Sequence, residues 1–184
     1  MDRDVFILSA ATAAEPADAI RGALEKIDIN PSRVQDAIFG MESSTFIPDV
    51  DQFIHKAGLK CPAVVVYSGL RAVFFAGQSI LSGDLDLVVV IGLNENSSTA
   101  LMLASPDAVG RYNLLPRARL AARSLSGTDS ALHTAGLASS DIAIFKPDES
   151  GALAVKELLD ELEQRQAQWG VISAGDTTLL VERI

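Results

Sequence analysis

Residues 62–93 decide the fold of this chain, and they read PAVVVYSGLRAVFFAGQSILSGDLDLVVVIGL. The β-branched run from Pro62 to Tyr67 predicts a strand. Gly69 to Leu81 is apolar nearly all round, which predicts a buried helix. The continuous apolar run from Leu85 to Leu93 then predicts a strand covered on both faces. A strand, a buried helix and a second buried strand in succession indicate an α/β fold.

Signals for strands and helices alternate on both sides of this segment. They combine β-branched or apolar runs with helical spacing of apolar residues, punctuated by glycine and proline. We predict further strands at Val5–Ala10, Asp36–Gly40, Thr99–Ala104, Arg117–Ala122 and Asp141–Phe145, a terminal hairpin from Gly170–Ala174 and Thr177–Ile184, and helices at Pro16–Lys26, within Phe46–Leu59, at Asp129–Ala135 and at Gly151–Gln166.

One pattern of apolar residues occurs twice. Ala23-Leu24, a polar spacer and Ala37-Ile38-Phe39 return as Ala131-Leu132, a spacer and Ala143-Ile144-Phe145. This favours an internal repeat of a βαβ-type unit, with chance matching of common apolar residues as the alternative. We expect a single domain with related halves at about 1–105 and 115–184, meeting at a seam from Pro106 to Pro116.

Composition excludes several classes of function. The 184 residues carry 24 acidic and 15 basic side chains, a net charge of −9, which argues against nucleic acid as a partner. No apolar run reaches the roughly 18 residues that a membrane helix needs. The single cysteine, Cys61, permits no internal disulfide and fits a reducing cytoplasm. Asp2 and Asp4 beside Arg3 do not form the positive start of a signal peptide, so we expect a cytoplasmic protein.

The sequence Ser68–Val73, SGLRAV, followed by the run Asp86–Val90, resembles the nucleophile-bearing turn, buried helix and next strand of the thiolase family. Further similar segments follow in family order over nearly the whole chain: Asp4–Ala10, Ile38–Gly40, Ala57–Leu59, Leu103–Ser105, Leu115–Arg119, Ala135–Leu137, Asp141–Phe145 and Val181–Ile184. The resemblance implies a minimal thiolase-like α/β fold, with two related βαβ-type halves and mixed sheets in a layered αβαβα arrangement.

The chemistry of the family does not carry over with the fold. Thiolases use a cysteine two residues before the Ser-Gly pair, and Val66 stands at that position, where no thioester can form. Asp148-Glu149-Ser150-Gly151 aligns with the family's Asn-Glu-Ala-Phe or His-Glu-Ala-Phe segment. The Gly-His-Pro loop has no counterpart, and the family's last cysteine falls near Ile172. The long coenzyme A-holding insertion is reduced to Asn94–Ser98. The resemblance therefore implies no thiolase activity for the chain alone.

Three residues are weak catalytic candidates. Ser68 could be a nucleophile on a strand-to-helix turn, although serine there is also a good helix cap, the interpretation we favour. Asp148 and Glu149, with Asp176, could form an acidic cluster, but acidic residues before a helix also complement its N-terminus. We expect no metal site, and no known motif for phosphate or zinc binding occurs.

His55 and His133 each stand three residues before a glycine that is expected to end a helix. A positive charge interacts well with a helix C-terminus, so we favour a structural role for both over a catalytic one.

The sequence favours a non-catalytic thiolase-like subunit or partner of an acyl-CoA enzyme. The resemblance implies that the strand Pro62–Tyr67 forms a homodimer or a heteromer, across Val64 and Val66. One alternative is an acyl-CoA-processing acyltransferase or lyase with a non-standard or shared site. Another is a small-ligand binding module. We expect no cofactor, with a coenzyme A thioester left open as a ligand.

Overall fold

The computed structural model describes residues 4–41, 49–147 and 151–184. Its strands are β1 (Phe6–Ala13), β2 (Asp36–Met41), β3 (Ala63–Tyr67), β4 (Leu87–Leu93), β5 (Ser98–Ala104), β6 (Ala118–Ser124), β7 (Ile144–Pro147), β8 (Trp169–Ala174) and β9 (Thr177–Arg183). Its helices are α1 (Pro16–Glu25), α2 (Val50–Lys56), α3 (Gly69–Ser82), α4 (Pro106–Tyr112), α5 (Thr128–Ala135) and α6 (Ala152–Arg165).

The predicted elements are all present, with shifts of a few residues at their ends. The helix α4 was not predicted, and it lies within the expected seam. Ser105 caps it by accepting a hydrogen bond from the backbone N–H of Ala108 at 3.1 Å, and Pro106 occupies its first turn. Serine followed by proline is a helix-start signal. The strand β7 begins at Ile144 rather than Asp141, because Ser139–Asp141 forms a 3-10 turn.

The strands form one mixed sheet in the order β3-β2-β4-β5-β1-β6-β9-β8-β7. Counted inward from β2 in the first half and from β7 in the second, the halves repeat one pattern: β2 and β4 are parallel, as are β7 and β8, and each pair continues into two antiparallel pairings. The strands β6 to β9 thus repeat β1, β2, β4 and β5. The two halves pair across β1 and β6 through Phe6 with Arg119 and Ile7 with Ala118.

The halves differ at their outer edges. In the first half, the chain forms α2 and β3 after β2 and before α3, and β3 pairs with the outer side of β2. In the second half the chain passes from β7 to α6 without a described counterpart of α2 or β3. As a result β3 and β7 are the two edge strands of the sheet.

Helices α3 and α6 lie between the two halves, and the other helices lie outside. Both inner helices contact strands of each half: α3 packs on β2, β4 and β9, and α6 on β5, β4 and β8. Their apolar residues share one buried cluster with both halves of the sheet. A second cluster joins α1 and α2 to the outer face of the first half, and a third joins α5 to β6, β8 and β9. This is the expected αβαβα layering, with the expected mixed sheets joined into one through β1 and β6. Among the described helices, none has the length and hydropathy of a membrane span.

Candidate functional site

Three glycines bring the first turns of α3 and α6 together at the end of β2. A Cβ on Gly40 would lie 2.9 Å from the Cα of Gly69, and a Cβ on Gly151 would lie 2.3 Å from the carbonyl carbon of Gly69. No side chain fits between these backbones, since real Cβ atoms do not approach within 3.0 Å. The N-termini of the two inner helices therefore meet at the carboxyl ends of parallel strands, where α/β proteins commonly bind ligands.

Ser68 occupies the turn from β3 into α3 with a strained backbone. Its φ is +144°, a region that residues other than glycine rarely adopt. The side chain is half-buried and makes no capping hydrogen bond to the helix. The expected role of Ser68 as a side-chain cap is therefore wrong, because its positive φ differs from the extended backbone of ordinary cap residues.

Val66 directs its side chain into the central core. The side chain is half-buried and packs against the apolar cluster that contains α3 and α6. The position that would hold a nucleophile therefore holds a packing residue beside the helix N-termini. A valine side chain can neither attack a thioester nor exchange a proton.

The acidic candidates are only partly described. Asp148 and Glu149 lie outside the described residues, so their proposed roles stay predictions. Asp176, in the turn between β8 and β9, accepts a hydrogen bond from the Arg71 guanidinium at 2.7 Å. That hydrogen bond holds the pKa of the Asp176 carboxyl below its usual value. Asp176 thus ties this turn to the first turn of α3. Within the described part of the chain, no three metal-ligating side chains cluster.

Asn94 is a feature of this region that the sequence analysis did not single out. It follows β4, which lies directly beside β2, and its backbone N–H closes the short connection to β5 by a 3.0 Å bond to the Ser97 carbonyl. Its side-chain Nδ2 is buried without a hydrogen-bond acceptor among the described residues. The signal in the sequence that could have identified Asn94 is its place as a polar residue directly after a buried strand.

The two histidines lie away from these helix N-termini. His55 is in the last turn of α2 and His133 is in the last turn of α5, and both side chains are exposed on outer helices. Gly58 and Gly136 follow with φ values of +77° and +69°. These placements agree with the expected position of each histidine at a helix end.

No family model matches the chain. Part of its sequence is similar to acetyl-CoA acetyltransferases. It is 33% identical to acetyl-CoA acetyltransferase IA of Candida tropicalis over 105 residues, which is 52% of this chain and 26% of that protein. It is 39% identical to the Chromobacterium violaceum acetyl-CoA acetyltransferase over 84 residues, which is 41% of this chain and 21% of that protein. The match thus spans about a quarter of the length of these curated relatives.

The fold has a solved counterpart. The structure of human mitochondrial 3-ketoacyl-CoA thiolase in complex with CoA matches with a TM-score of 0.80 and 14% sequence identity. The match covers 99% of this chain and 98% of that chain. At this level of identity the likeness concerns the arrangement of the backbone.

Proposed function

Starting from the fact that this chain is thiolase-like in fold and in part of its sequence, we propose that it is a non-catalytic cytoplasmic protein that serves as a subunit of an acyl-CoA enzyme. It associates through β3, with a second copy or with a related subunit. It needs no cofactor of its own, and a coenzyme A thioester is the ligand class to test first.

The placement of Val66 carries the non-catalytic part of this proposal. A thiolase-type reaction needs a nucleophile and an acid/base partner at the α3 N-terminus. Here Val66 packs into the core, and both histidines lie on outer helices. Neither requirement is met by the described residues around Ser68.

The contrast between the two edge strands supports β3 as the pairing surface. β3 reads AVVVY, carries no charge, and leaves Val64 46% and Tyr67 53% exposed. β7 has four residues and contains Lys146 and Pro147. Lysine and proline protect sheet edges against pairing with another strand. β7 therefore has this protection and β3 does not.

The hydrogen bonding of β3 sets the register of such a pairing. The backbone N–H of Ala37 in β2 bonds to the carbonyl of Pro62, so even-numbered residues of β3 face β2. The backbone groups of Ala63, Val65 and Tyr67 therefore point to the free edge, since direction alternates along a strand. A symmetric antiparallel pair would place Val65 opposite Val65 of the other copy.

Sedimentation velocity of the full chain tests the pairing. The wild type is expected to dimerise, and Val65→Pro is expected to be monomeric, because proline removes an N–H that faces the free edge without breaking a bond to β2. Val65→Ala keeps this N–H and is the matched control for lost packing. A Val65→Pro variant that dimerises as tightly as Val65→Ala would refute pairing through β3.

A thiolysis assay tests the catalytic part of the proposal. The purified chain is expected to leave acetoacetyl-CoA intact in the presence of coenzyme A. The enolate absorbance of acetoacetyl-CoA, which thiolysis would remove, should therefore stay constant. Turnover by the wild type that is removed by Ser68→Ala would overturn the proposal. It would favour the alternative of an acyltransferase or lyase with a non-standard site.

The strained backbone of Ser68 is the observation that favours this second candidate. Residues with φ near +144° persist where the surrounding fold holds them, often at functional sites. Ser68 would then act as a nucleophile, with Asp148 or Glu149 or a group from another subunit as the base. The same site could instead bind a ligand without turnover, as a small-ligand module. Thermal stabilisation by acetyl-CoA without any reaction would identify that case.

A further inference from the structure

Two adjoining cavities lie at the end of the sheet opposite the candidate functional site. Their volumes are about 510 Å³ and about 210 Å³, and Tyr112 lines both of them. The smaller cavity is also lined by Gln35 and Asp86, which directly precede the parallel strands β2 and β4. The helices α3 and α6 begin where β2 ends, so these cavities belong to a separate region of the molecule.

Two arginines from different segments converge on the Tyr112 ring in the smaller cavity. Arg33 ends the 3-10 turn Pro31–Arg33, and Arg111 lies in the last turn of α4. Their guanidinium carbons lie 6.0 Å and 5.9 Å from the ring centroid of Tyr112, which is within the range of a cation–π contact. Both residues line the cavity. The fold therefore brings two positive charges to one cavity, although like charges repel each other.

The positive charge of the smaller cavity is only partly balanced. Asp86 is the one carboxylate among the described residues that line it. Its Oδ2 atom lies 3.5 Å from Nη1 of Arg111, and its Oδ1 atom accepts a 2.8 Å hydrogen bond from the Ser105 hydroxyl. Within the described part of the chain, Arg33 forms no ion pair with a carboxylate. One positive charge thus stays unbalanced, in a chain whose net charge is −9.

A phosphate group fits this pair of arginines better than a carboxylate does. A phosphate monoester carries a charge of about −1.5 to −2 near pH 7 and has three free oxygens, so it can pair with two guanidinium groups at once. The planar fork of N–H donors on arginine also matches phosphate oxygens two at a time. Arg33 and Arg111 are exposed, so a ligand reaches both guanidinium groups from solvent without any change in the fold.

The larger cavity has room for an organic group attached to the phosphate. Its volume lies within the range of about 300–1,000 Å³ that is typical of small-ligand pockets. Its apolar lining residues are Leu8, Ile27, Leu114 and Leu115. Leu115 is 86% exposed, so a bound apolar group would remove leucine surface from water.

The charged residues of the larger cavity leave the anion to the smaller one. The Lys26 ammonium donates a hydrogen bond to the Ala10 carbonyl, and the Arg117 guanidinium donates to Glu163 at 2.7 Å. Asp28 also lines the larger cavity, and its negative charge repels an anion. The larger cavity therefore suits the apolar part of such a ligand, and the smaller cavity suits its phosphate.

We propose that the two cavities together bind a phosphate monoester of a small apolar molecule. The phosphate pairs with Arg33 and Arg111 in the smaller cavity. The apolar group passes Tyr112 into the larger cavity and covers Leu115. This site uses neither the N-termini of α3 and α6 nor the edge of β3, so it does not depend on the function proposed above.

Isothermal titration calorimetry of the full chain with hexyl phosphate, at constant ionic strength, tests this site. The wild type is expected to bind hexyl phosphate with a dissociation constant below about 1 mM. Arg33→Met and Arg111→Met are each expected to weaken binding about tenfold or more, because each removes one of the two charge-assisted contacts to the phosphate. Inorganic phosphate is expected to bind about tenfold more weakly than hexyl phosphate, because it has no apolar group for the larger cavity.

Two further variants separate the contributions. Arg165→Met is the matched control for net charge, because Arg165 is an exposed residue of α6 that lines neither cavity, and it is expected to leave the affinity unchanged. Leu115→Ser is expected to weaken hexyl phosphate about threefold and to leave the affinity for inorganic phosphate unchanged, because it removes only apolar contact. All the substituted side chains are exposed, so each variant should keep the wild-type Tm.

Three results would overturn the proposal. One is a wild type that does not bind hexyl phosphate at about 10 mM. Another is an equal dissociation constant for the wild type, Arg33→Met and Arg111→Met. The third is an equal loss of affinity in Arg165→Met and Arg33→Met, because net charge alone would then attract the anion. Inorganic phosphate that binds as tightly as hexyl phosphate would refute the role of the larger cavity.

Discussion

Gly151 lies directly against Gly69, and this contact joins the first turns of the two inner helices. A Cβ on Gly151 would lie 2.5 Å from both the Cα and the carbonyl oxygen of Gly69. Gly151 also has a φ of +57° and a ψ of −111°, a conformation that side chains strongly disfavour. Two glycines far apart in sequence thus determine how closely α3 and α6 approach each other.

Gly151→Ala is therefore expected to destabilise the protein strongly, by about 2–4 kcal/mol, because it adds a backbone clash to a strained φ. Gly136→Ala is the matched control. Gly136 also has a positive φ, +69°, but nothing lies within 4 Å of its Cβ position, so the expected cost is about 1 kcal/mol. Urea unfolding measures both. Equal losses for the two variants would contradict the close contact with Gly69.

Ser68→Gly is expected to be more stable than Ser68→Ala by about 1 kcal/mol, because glycine adopts a φ of +144° without strain. Ser68→Ala is expected to match the wild type closely, since the Ser68 side chain makes no capping hydrogen bond. Thermal unfolding of the three proteins checks this order. A large loss in Ser68→Ala would restore the interpretation of Ser68 as a helix cap.

Cys61 is expected to react slowly with iodoacetamide at pH 8. Burial, and secondarily the nearby Asp36 carboxylate, raise the pKa of its thiol to about 11. Since the thiolate is the reactive form, the alkylation rate should rise steadily between pH 8 and pH 10 without a plateau. Asp36→Asn removes a negative charge, so it should lower this pKa and speed alkylation at pH 8. Mass spectrometry measures the alkylation. An alkylation rate that reaches a plateau below pH 9 in the wild type would be inconsistent with the raised pKa.

Asp160 is expected to make stability depend on acid pH. Burial favours its neutral form, but hydrogen bonds and charge from Lys156 and Arg117 outweigh burial and lower its pKa. A carboxyl with a lowered folded-state pKa stabilises the protein above its unfolded-state pKa, and this stabilisation is lost as pH falls through the folded-state value.

The free energy of unfolding of the wild type should therefore exceed that of Asp160→Asn near pH 7 and converge with it below about pH 4. The difference should stay below about 1 kcal/mol, because the Asp160 side chain is 41% exposed and solvent screens the pair. Lys156→Met should shrink the difference. Curves for wild type and Asp160→Asn that run parallel down to pH 3 would rule out this contribution.

The sequence predicted the framework of the fold because its signals are local. Each element is indicated by a pattern of a few neighbouring residues. Examples are the β-branched run of β3, the apolar run of β4 and the glycine after α5. The short helix α4 was missed because its signal is only a Ser-Pro start with one apolar turn. The side-chain role of Ser68 was mispredicted because capping depends on a backbone φ that residue type does not reveal.

The sequence by itself determined that this is a thiolase-like α/β chain with valine at the nucleophile position, since both facts reside in the order of residue types. Tertiary structure decided what lies next to what. Gly151 against Gly69 and Arg123 over Phe74 and beside Gly77 each join segments distant in sequence, and the order of the strands leaves β3 and β7 at opposite edges of the sheet. Such contacts depend on how closely backbones approach and which charges are removed from water, and these are set only when the layers pack together.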